Sequence, residues 1–246
     1  MRFPTGTICA AALALACSSP TTPSTSSSSS ATSSSSSSSA LPSMYSQFNS
    51  TVTVTLDGGT VTLKSNGVPD HTSPYFGSGN ASYESPQAGM VVNPNVIVSQ
   101  SIVMRVPASP TAATASDTPL GPIGIATNGV ALFNQYAAGR SPLGAEILTF
   151  DRYNGHPQNT GLYHYHLEPL WLTGKRGAAT LIGVLLDGFP VYGPGETDGS
   201  SPKGLDSCNG HTHATPEFAQ GIYHYHVTST VPYISGCFHG APGSLG

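Results

Sequence analysis

The chain has 246 residues, and charged side chains are scarce, with 8 Lys plus Arg against 12 Asp plus Glu. The basic residues are scattered, so no basic stripe could follow a phosphate backbone, which argues against nucleic acid as a partner. The sequence also has no Gly-x-Ser-x-Gly elbow and no phosphate-cradling glycine loop, which argues against a serine hydrolase or a nucleotide enzyme.

The first 17 residues predict export. They read MRFPTGTICAAALALAC, with one Arg followed by a short apolar run from Ile8 to Ala16. Such a run is too short to span a bilayer and is typical of a secretory signal peptide. Cys17 follows small residues in the manner of a bacterial lipoprotein cleavage site. Two outcomes stay open: a lipid on Cys17 attaches an envelope protein to a membrane, or cleavage near Ala16 releases an extracellular one.

Residues 18–43 consist almost entirely of Ser, Thr, Pro and Ala. This composition has too little apolar area to offset the entropy of ordering, and it predicts a disordered linker or tether. Behind a lipid anchor, the linker would hold the following domain away from the membrane. Residues 44–246 are enough for one domain with its own core.

That domain is predicted to be mainly β, a single β-sandwich or barrel-like domain with long ordered loops. Its first stretch, STVTVTLDGGTVTL, alternates Thr and Val around Asp57-Gly58-Gly59 and indicates a hairpin with one buried face. Further strand-like runs cover 95–106, 145–153, 180–193 and the two Tyr-His-Tyr-His segments. Residues 128–139 are compatible with one short helix.

An internal repeat links residues 150–166, FDRYNGHPQNTGLYHYH, to residues 205–226, LDSCNGHTHATPEFAQGIYHYH. Both units contain an Asp, then Asn-Gly-His three residues later, then Gly, an aliphatic residue and Tyr-His-Tyr-His. Two copies of one unit indicate duplicated half-sites or paired strands. Whether they build one site or two is left open by the sequence.

The histidines of these units predict a metal site. On a strand His164 and His166 share one face, about 6.6 Å apart at Cα, and both rings can reach one ion at about 2.0–2.1 Å. Imidazole ligands in an exported protein favour copper or zinc. The alternative is a network of hydrogen-bonded polar residues. The predicted ligands are His156, His164 and His166 in the first unit and His211, His224 and His226 in the second, with His213 and His239 in reserve.

Asp151 and Asp206 occupy matching places in the two units. They are predicted to accept hydrogen bonds from the metal-binding imidazoles and so fix their tautomers, or alternatively to cap the turn into Asn-Gly. Tyr163, Tyr165, Tyr223 and Tyr225 are expected to pack into the core, and the minority interpretation is electron transfer beside copper.

Cys208 and Cys237 are the cysteines outside the predicted signal peptide. In an oxidising compartment the pair most simply forms a disulfide that closes a loop around the second Tyr-His-Tyr-His segment. Two thiolate metal ligands are the less favoured alternative.

Several spaced motifs occur in order: ATNGVALFNQY, FDRYNGHPQNTGLYHYHLEP, LIGVLLDGFPVYGP, LDSCNGH and GIYHYHVTSTVPYISGCFHG. With them the chain resembles the YHYH domain family of mostly secreted proteins, over roughly residues 100–240. Where relatives often have Cys in the first unit, this chain has Tyr153, so a disulfide or ligand role is absent there. The resemblance implies export and a shared β domain, and it names no reaction.

Three functions remain. The first is an exported metal-binding protein that captures or buffers copper or zinc. The second is an extracellular metalloenzyme, for oxidation or hydrolysis, in which the same histidines leave a coordination position open. The third is a non-catalytic surface module for glycan or protein. Closed coordination favours the first, three ligands beside a pocket favour the second, and a metal-free chain that stays folded favours the third.

Overall fold

A computed structural model describes residues 40–246, and this part of the chain is mainly β, as predicted. The predicted signal peptide, Cys17 and most of the predicted linker lie outside these residues. The strands are β1 (Thr53–Asp57), β2 (Thr60–Ser65), β3 (Ile102–Pro107), β4 (Ala112–Asp117), β5 (Pro122–Ala126), β6 (Ala131–Phe133), β7 (Gly155–Pro157), β8 (Tyr163–Tyr165), β9 (Leu181–Leu185), β10 (Pro190–Tyr192), β11 (Gly210–Thr215), β12 (Phe218–His226), β13 (Cys237–Gly240) and β14 (Ser244–Leu245). The helical segments are α1 (Leu170–Arg176) and the 3-10 turns Ser43–Gln47, Pro74–Phe76, Ala138–Arg140 and Gly144–Thr149.

The largest sheet has eight strands in the order β11-β12-β10-β9-β5-β6-β8-β7. Its two halves have the same plan. Each half begins with a hairpin, β5-β6 in one and β9-β10 in the other. A second hairpin follows, and its last strand pairs in parallel with the last strand of the first hairpin, β8 with β6 and β12 with β10. The halves meet where β5 and β9 pair antiparallel, with Ile125 opposite Val184. The sheet therefore has an approximate twofold axis at this pair, and the β7-β8 and β11-β12 hairpins lie at opposite edges.

The sequence repeat is longer than predicted. Residues 124–134, GIATNGVALFN, match residues 183–193, GVLLDGFPVYG, and each stretch forms the first hairpin of its half. The units at 150–166 and 205–226 are thus the second parts of two longer repeats. Duplication explains why the Tyr-His-Tyr-His segments occupy equivalent places on the sheet.

Two local predictions are wrong. The stretch 128–139 is no α-helix, because Asn128-Gly129 closes the β5-β6 hairpin, with Gly129 at φ +87°, and β6 follows directly. The run 145–153, expected to be a strand, contains none, and residues 144–149 form a 3-10 turn instead. The α-helix of the described chain, α1, is short and was not predicted.

The second sheet has four strands in the order β1-β2-β3-β14 and begins with the predicted hairpin, in which Asp57 pairs with Thr60. Its inward residues, such as Leu63 and Met104, share one hydrophobic cluster with Ile125 and Val184 of the large sheet. The same cluster contains the four tyrosines of the two Tyr-His-Tyr-His segments. Because side chains alternate along a strand, the histidines between these tyrosines point to the other face.

A disulfide joins Cys208 to Cys237, as predicted. It ties the turn before β11 to the start of β13, which pairs with β4 in a two-stranded sheet. At the other end of the described chain, Ser43, predicted as the last linker residue, begins a 3-10 turn and donates a hydrogen bond to the Glu217 carbonyl.

Candidate metal centres

The first histidine cluster, cluster 1, consists of His156, His164 and His166. His156 on β7 pairs directly with His164 on β8, and His166 follows two residues later on the same face. The Nε2 atom of His164 lies 3.1 Å from that of His156 and 3.0 Å from that of His166. All three side chains are buried. Strand pairing and strand alternation together bring the three rings to one point.

The other ring nitrogen of each cluster 1 histidine is held by an acceptor. The Nδ1–H groups of His164 and His166 donate to the carbonyl oxygens of Leu162 and Asn134. Thr149 donates its hydroxyl proton to the Glu146 carbonyl, so its oxygen accepts from Nδ1–H of His156 at 2.7 Å. In each of the three rings the proton is therefore on Nδ1. Each Nε2 is unprotonated, and its lone pair points toward the Nε2 atoms of the other two histidines.

Three unprotonated Nε2 atoms cannot hydrogen-bond to one another. A proton is disfavoured as the bridge, because burial lowers the pKa of His156 to about 3 and that of His166 to about 4. Burial also holds the pKa of His164 well below its ordinary value. Nitrogens bound at about 2.0–2.1 Å to one ion lie about 2.9–3.4 Å apart for bond angles of about 90–110°. The observed spacing fits a shared metal ion.

Aromatic rings fix the imidazoles of cluster 1 from the side. Phe133 stacks on His164 with ring centroids 3.9 Å apart, and Phe150 lies parallel to His166 at 5.7 Å. Glu146 supplies a carboxylate oxygen 3.4 Å from Nε2 of His156. The cluster opens into a cavity of about 440 Å³, which all three histidines and Glu146 line. Cluster 1 is thus rigid and accessible.

The second cluster, cluster 2, consists of four histidines: His211 and His213 on β11, and His224 and His226 on β12. His211 pairs directly with His224, as His156 does with His164. The Nε2 atoms of His211 and His213 are 3.0 Å apart. The possible ligand atoms of all four histidines lie within 4.8 Å of one another.

Backbone carbonyls again fix the tautomers in cluster 2. Each Nδ1–H donates to a carbonyl oxygen, those of Lys203, Ala214, Ile222 and Gly193 for His211, His213, His224 and His226 respectively. The Nε2 atoms of His224 and His226 are buried and have no hydrogen-bond partner among the described residues. Burial lowers the pKa of His224 to about 3 and lowers that of His226 as well. Unpaired buried nitrogens of this kind are costly unless an ion fills the space.

A carboxylate also faces cluster 2. The oxygens of Glu196 lie 3.2–3.5 Å from Nε2 of His211, His213 and His226. The space among His213, His224, His226 and Glu196 is only about 10 Å³, which contrasts with the cavity at cluster 1. Cluster 2 therefore has one more imidazole than cluster 1, and its buried histidines, His224 and His226, face little open space.

The six predicted histidine ligands are thus brought together in two separate groups of three, each at its own edge of the large sheet. His213, a reserve candidate, joins cluster 2. His239 does not: its ring stacks on Tyr223 with centroids 3.5 Å apart. Glu146 and Glu196 were not predicted, because each lies in a loop without a motif around it. They occupy equivalent connections, before β7 and before β11.

Asp151 and Asp206 lie on the tyrosine side of the sheet. Asp151 accepts hydrogen bonds from the hydroxyl groups of Ser73 and Tyr163 and from the backbone N–H of residues 153 and 155. Asp206 accepts from Tyr223 and from the N–H of residues 208 and 210. Neither has a hydrogen bond to a cluster histidine among the described residues. These contacts match the turn-capping alternative and not the support of imidazoles.

The Asn-Gly-His motif has a steric reason in both units. Asn154 and Asn209 adopt φ +65° and +74°, a left-handed conformation that Asn tolerates better than most residues. A Cβ on Gly155 would collide with the ring of Tyr163, and one on Gly210 would collide with that of Tyr223. The glycine thus leaves room for the tyrosine ring of the neighbouring strand, Tyr163 or Tyr223. The histidine after the glycine, His156 or His211, lies in the cluster.

The fold and the clusters define a mainly β protein with a duplicated half-sheet and two histidine groups that could each hold a metal ion. The family model described as YHYH protein matches residues 103–203 and 195–240, more than half of the chain. The chain therefore belongs to the YHYH family, and both clusters lie within the matched residues. No curated protein and no solved structure matches the chain.

Proposed function

We propose that the protein is an exported metal-binding protein that holds two transition-metal ions, copper or zinc, one in each cluster. The observation that carries this proposal is the convergence of Nε2 lone pairs, with every Nδ1–H already donated elsewhere. The buried Nε2 of His224 supports it further, since it lacks the partner that a polar network would supply, and Nε2 of His226 faces Glu196 at 3.5 Å without a hydrogen bond.

The donor set supports copper or zinc. Imidazole binds both ions well, and the cysteines of the described chain are joined in a disulfide, so no soft thiolate competes. The burial of cluster 1 argues against the third hypothesis, a surface module, because its histidine rings offer little exposed area to a glycan or a protein. The disulfide supports export, since disulfides persist in oxidising compartments. Among residues 40–246, no helix is long and apolar enough to cross a bilayer.

The test is elemental analysis of the full-length chain, exported to an oxidising compartment and purified without a histidine tag or chelator. We expect about two ions per chain, falling to about one in His164→Ala/His166→Ala and to about one in His224→Ala/His226→Ala. His239→Ala is the matched control and should keep both ions. A chain without metal, even after incubation with both ions, would refute the proposal. Membrane release by Cys17→Ser separately tests lipid attachment.

A second function, a metalloenzyme at cluster 1, is favoured by the cavity beside its three histidines. A bound ion would supply Lewis acidity or an activated water. The three imidazoles would hold the ion, Phe133 and Phe150 would keep the rings in place, and Glu146 offers a carboxylate at the rim. Hydrolytic or oxidative turnover of small test substrates should then be lost in His164→Ala/His166→Ala and kept in His224→Ala/His226→Ala.

A further inference from the structure

The two clusters differ at one equivalent position. The repeat aligns the stretch Gly155-His156-Pro157-Gln158 with Gly210-His211-Thr212-His213. The histidine in the second place of each stretch, His156 or His211, pairs with the first histidine of Tyr-His-Tyr-His. Where cluster 2 has its fourth imidazole, cluster 1 has Gln158.

The side chains at this position do different things. His213 directs its Nε2 to within 3.0 Å of that of His211. Gln158 instead donates its side-chain N–H to the hydroxyl of Thr160 at 3.1 Å, and it lines the cavity at cluster 1. An ion held by cluster 1 therefore meets three imidazoles, and the direction from which a fourth would come adjoins the cavity.

The space around the clusters follows the same division. The cavity of about 440 Å³ is lined by every histidine of cluster 1. At cluster 2, a cleft of about 370 Å³ is lined by His211 and His213 but not by His224 or His226. Glu196 also lines this cleft, with its carboxylate within 3.2–3.5 Å of three Nε2 atoms, so cluster 2 has a fifth donor at hand.

The walls of the cluster 1 cavity indicate what it would admit. Leu120, Phe133 and Tyr136 form an apolar and aromatic part, and Asn93 and Asn95 bring side-chain amides. Apart from the histidines, Glu146 is the one ionisable side chain with a charge at neutral pH among the lining residues, and no lining residue is a cation. A divalent ion held by three neutral imidazoles brings its own positive charge, of which Glu146 offsets a part, so the cavity can admit a neutral or a singly negative ligand.

We propose that an ion in cluster 1 keeps one coordination position open to the cavity and binds there a small ligand with a nitrogen or oxygen donor. An ion in cluster 2 meets a fourth imidazole, that of His213, at the position that cluster 1 leaves to Gln158. This inference rests on the proposed metal-binding function.

The test uses full-length protein loaded with Cu(II), in which each double variant leaves one cluster intact. Imidazole, added at pH 8 where it is mostly uncharged, is the probe, and the electron paramagnetic resonance spectrum is the readout. Imidazole should change the spectrum of copper in His224→Ala/His226→Ala, which keeps cluster 1. It should leave the spectrum of His164→Ala/His166→Ala, which keeps cluster 2, unchanged.

Reciprocal substitutions make the test specific to the equivalent position. Gln158→His should weaken the binding of imidazole at cluster 1 by at least about tenfold, whereas Gln158→Ala should not. His213→Gln should create an imidazole response at cluster 2. If Gln158→His fails to fold in a thermal melt, His213→Gln still decides the matter.

The outcomes separate the two proposals. Copper content is measured on every sample, and a chain that binds no copper would overturn both. Copper at both clusters with no imidazole response at cluster 1, or with equal responses at the two clusters, would overturn this inference alone.

Discussion

His156 and His164 stand directly opposite each other on β7 and β8, with their Nε2 atoms 3.1 Å apart. His211 and His224 repeat this pairing at the other edge of the sheet. Cross-strand pairing places the two rings next to each other, with centroids 4.6 Å apart in the first pair and 4.8 Å apart in the second, without any long loop. The geometry is therefore built into the sheet, and it should survive the loss of the metal.

Because strand pairing already places the rings, metal removal is expected to lower stability without abolishing the fold, and a folded metal-free chain therefore does not by itself favour a surface module. A ligand that binds only the folded state stabilises it by about 2.7 kcal/mol at 100 times its dissociation constant. Thermal melts with and without a chelator should show this loss, and each double histidine variant should show about half of it. Identical melting temperatures with and without bound metal would contradict the account.

The stability of the metal-free protein should depend on pH between about 4 and 6.5. Burial lowers the pKa of His156 and His224 to about 3 and that of His166 to about 4 in the folded state, below the ordinary value of 6.5. In this window the unfolded chain binds more protons than the folded chain does, so the free energy of unfolding rises with pH and levels off above pH 6.5. Each such histidine contributes a slope of up to about 1.4 kcal/mol per pH unit.

Urea unfolding at several pH values measures this slope. His224→Asn removes one of the titrating groups and should flatten the dependence, whereas Asp57→Asn, at the exposed β1-β2 turn, should not change it between pH 5 and 6.5. A free energy of unfolding that is flat between pH 4.5 and 6.5 would show that the cluster histidines are not held neutral.

Thr149 is expected to tune cluster 1 through His156. Thr149→Val removes the oxygen that accepts Nδ1–H of His156 and leaves that donor buried without a partner. Loss of such a partner typically weakens metal binding by about 10–100-fold. Competition with a chromophoric chelator, in the His224→Ala/His226→Ala background, measures the affinity of cluster 1 alone. Thr149→Ser should restore it, and an unchanged affinity in Thr149→Val would remove Thr149 from the site.

Tyr225 is expected to be structural. Its hydroxyl donates to the buried carboxylate of Asp187, which also accepts from the N–H of His239 and Gly240. Tyr225→Phe removes a hydrogen bond to this carboxylate and should cost about 1.5–3 kcal/mol of unfolding free energy. Metal content should not change, and Tyr83→Phe is the exposed control. A stable Tyr225→Phe protein with altered copper redox behaviour would favour the electron-transfer interpretation.

The sequence was most informative where local geometry follows from spacing. Strand alternation correctly placed His164 and His166 on one face, and the cysteine count correctly paired Cys208 with Cys237. The first hairpin followed from its Asp-Gly-Gly turn. Each of these features depends on residues close together in sequence or on simple pairing.

What the sequence did not reveal depends on contacts between distant segments. Glu146 and Glu196 approach the clusters from loops whose path is set by tertiary packing. Asp151 and Asp206 were predicted to support the imidazoles because they occupy matching places in the two units, yet the turn carries them to the tyrosine side. The separation of the repeats into two sites follows from the twofold sheet, which the short repeat alone did not disclose.

The most direct measurement is anomalous X-ray scattering from crystals of the full-length protein grown with copper or zinc. The account predicts two peaks, one about 2.0–2.1 Å from the Nε2 atoms of His156, His164 and His166, and one at the same distance from Nε2 atoms of cluster 2. Well-ordered clusters without a peak at either, or a metal bound only elsewhere, would contradict it.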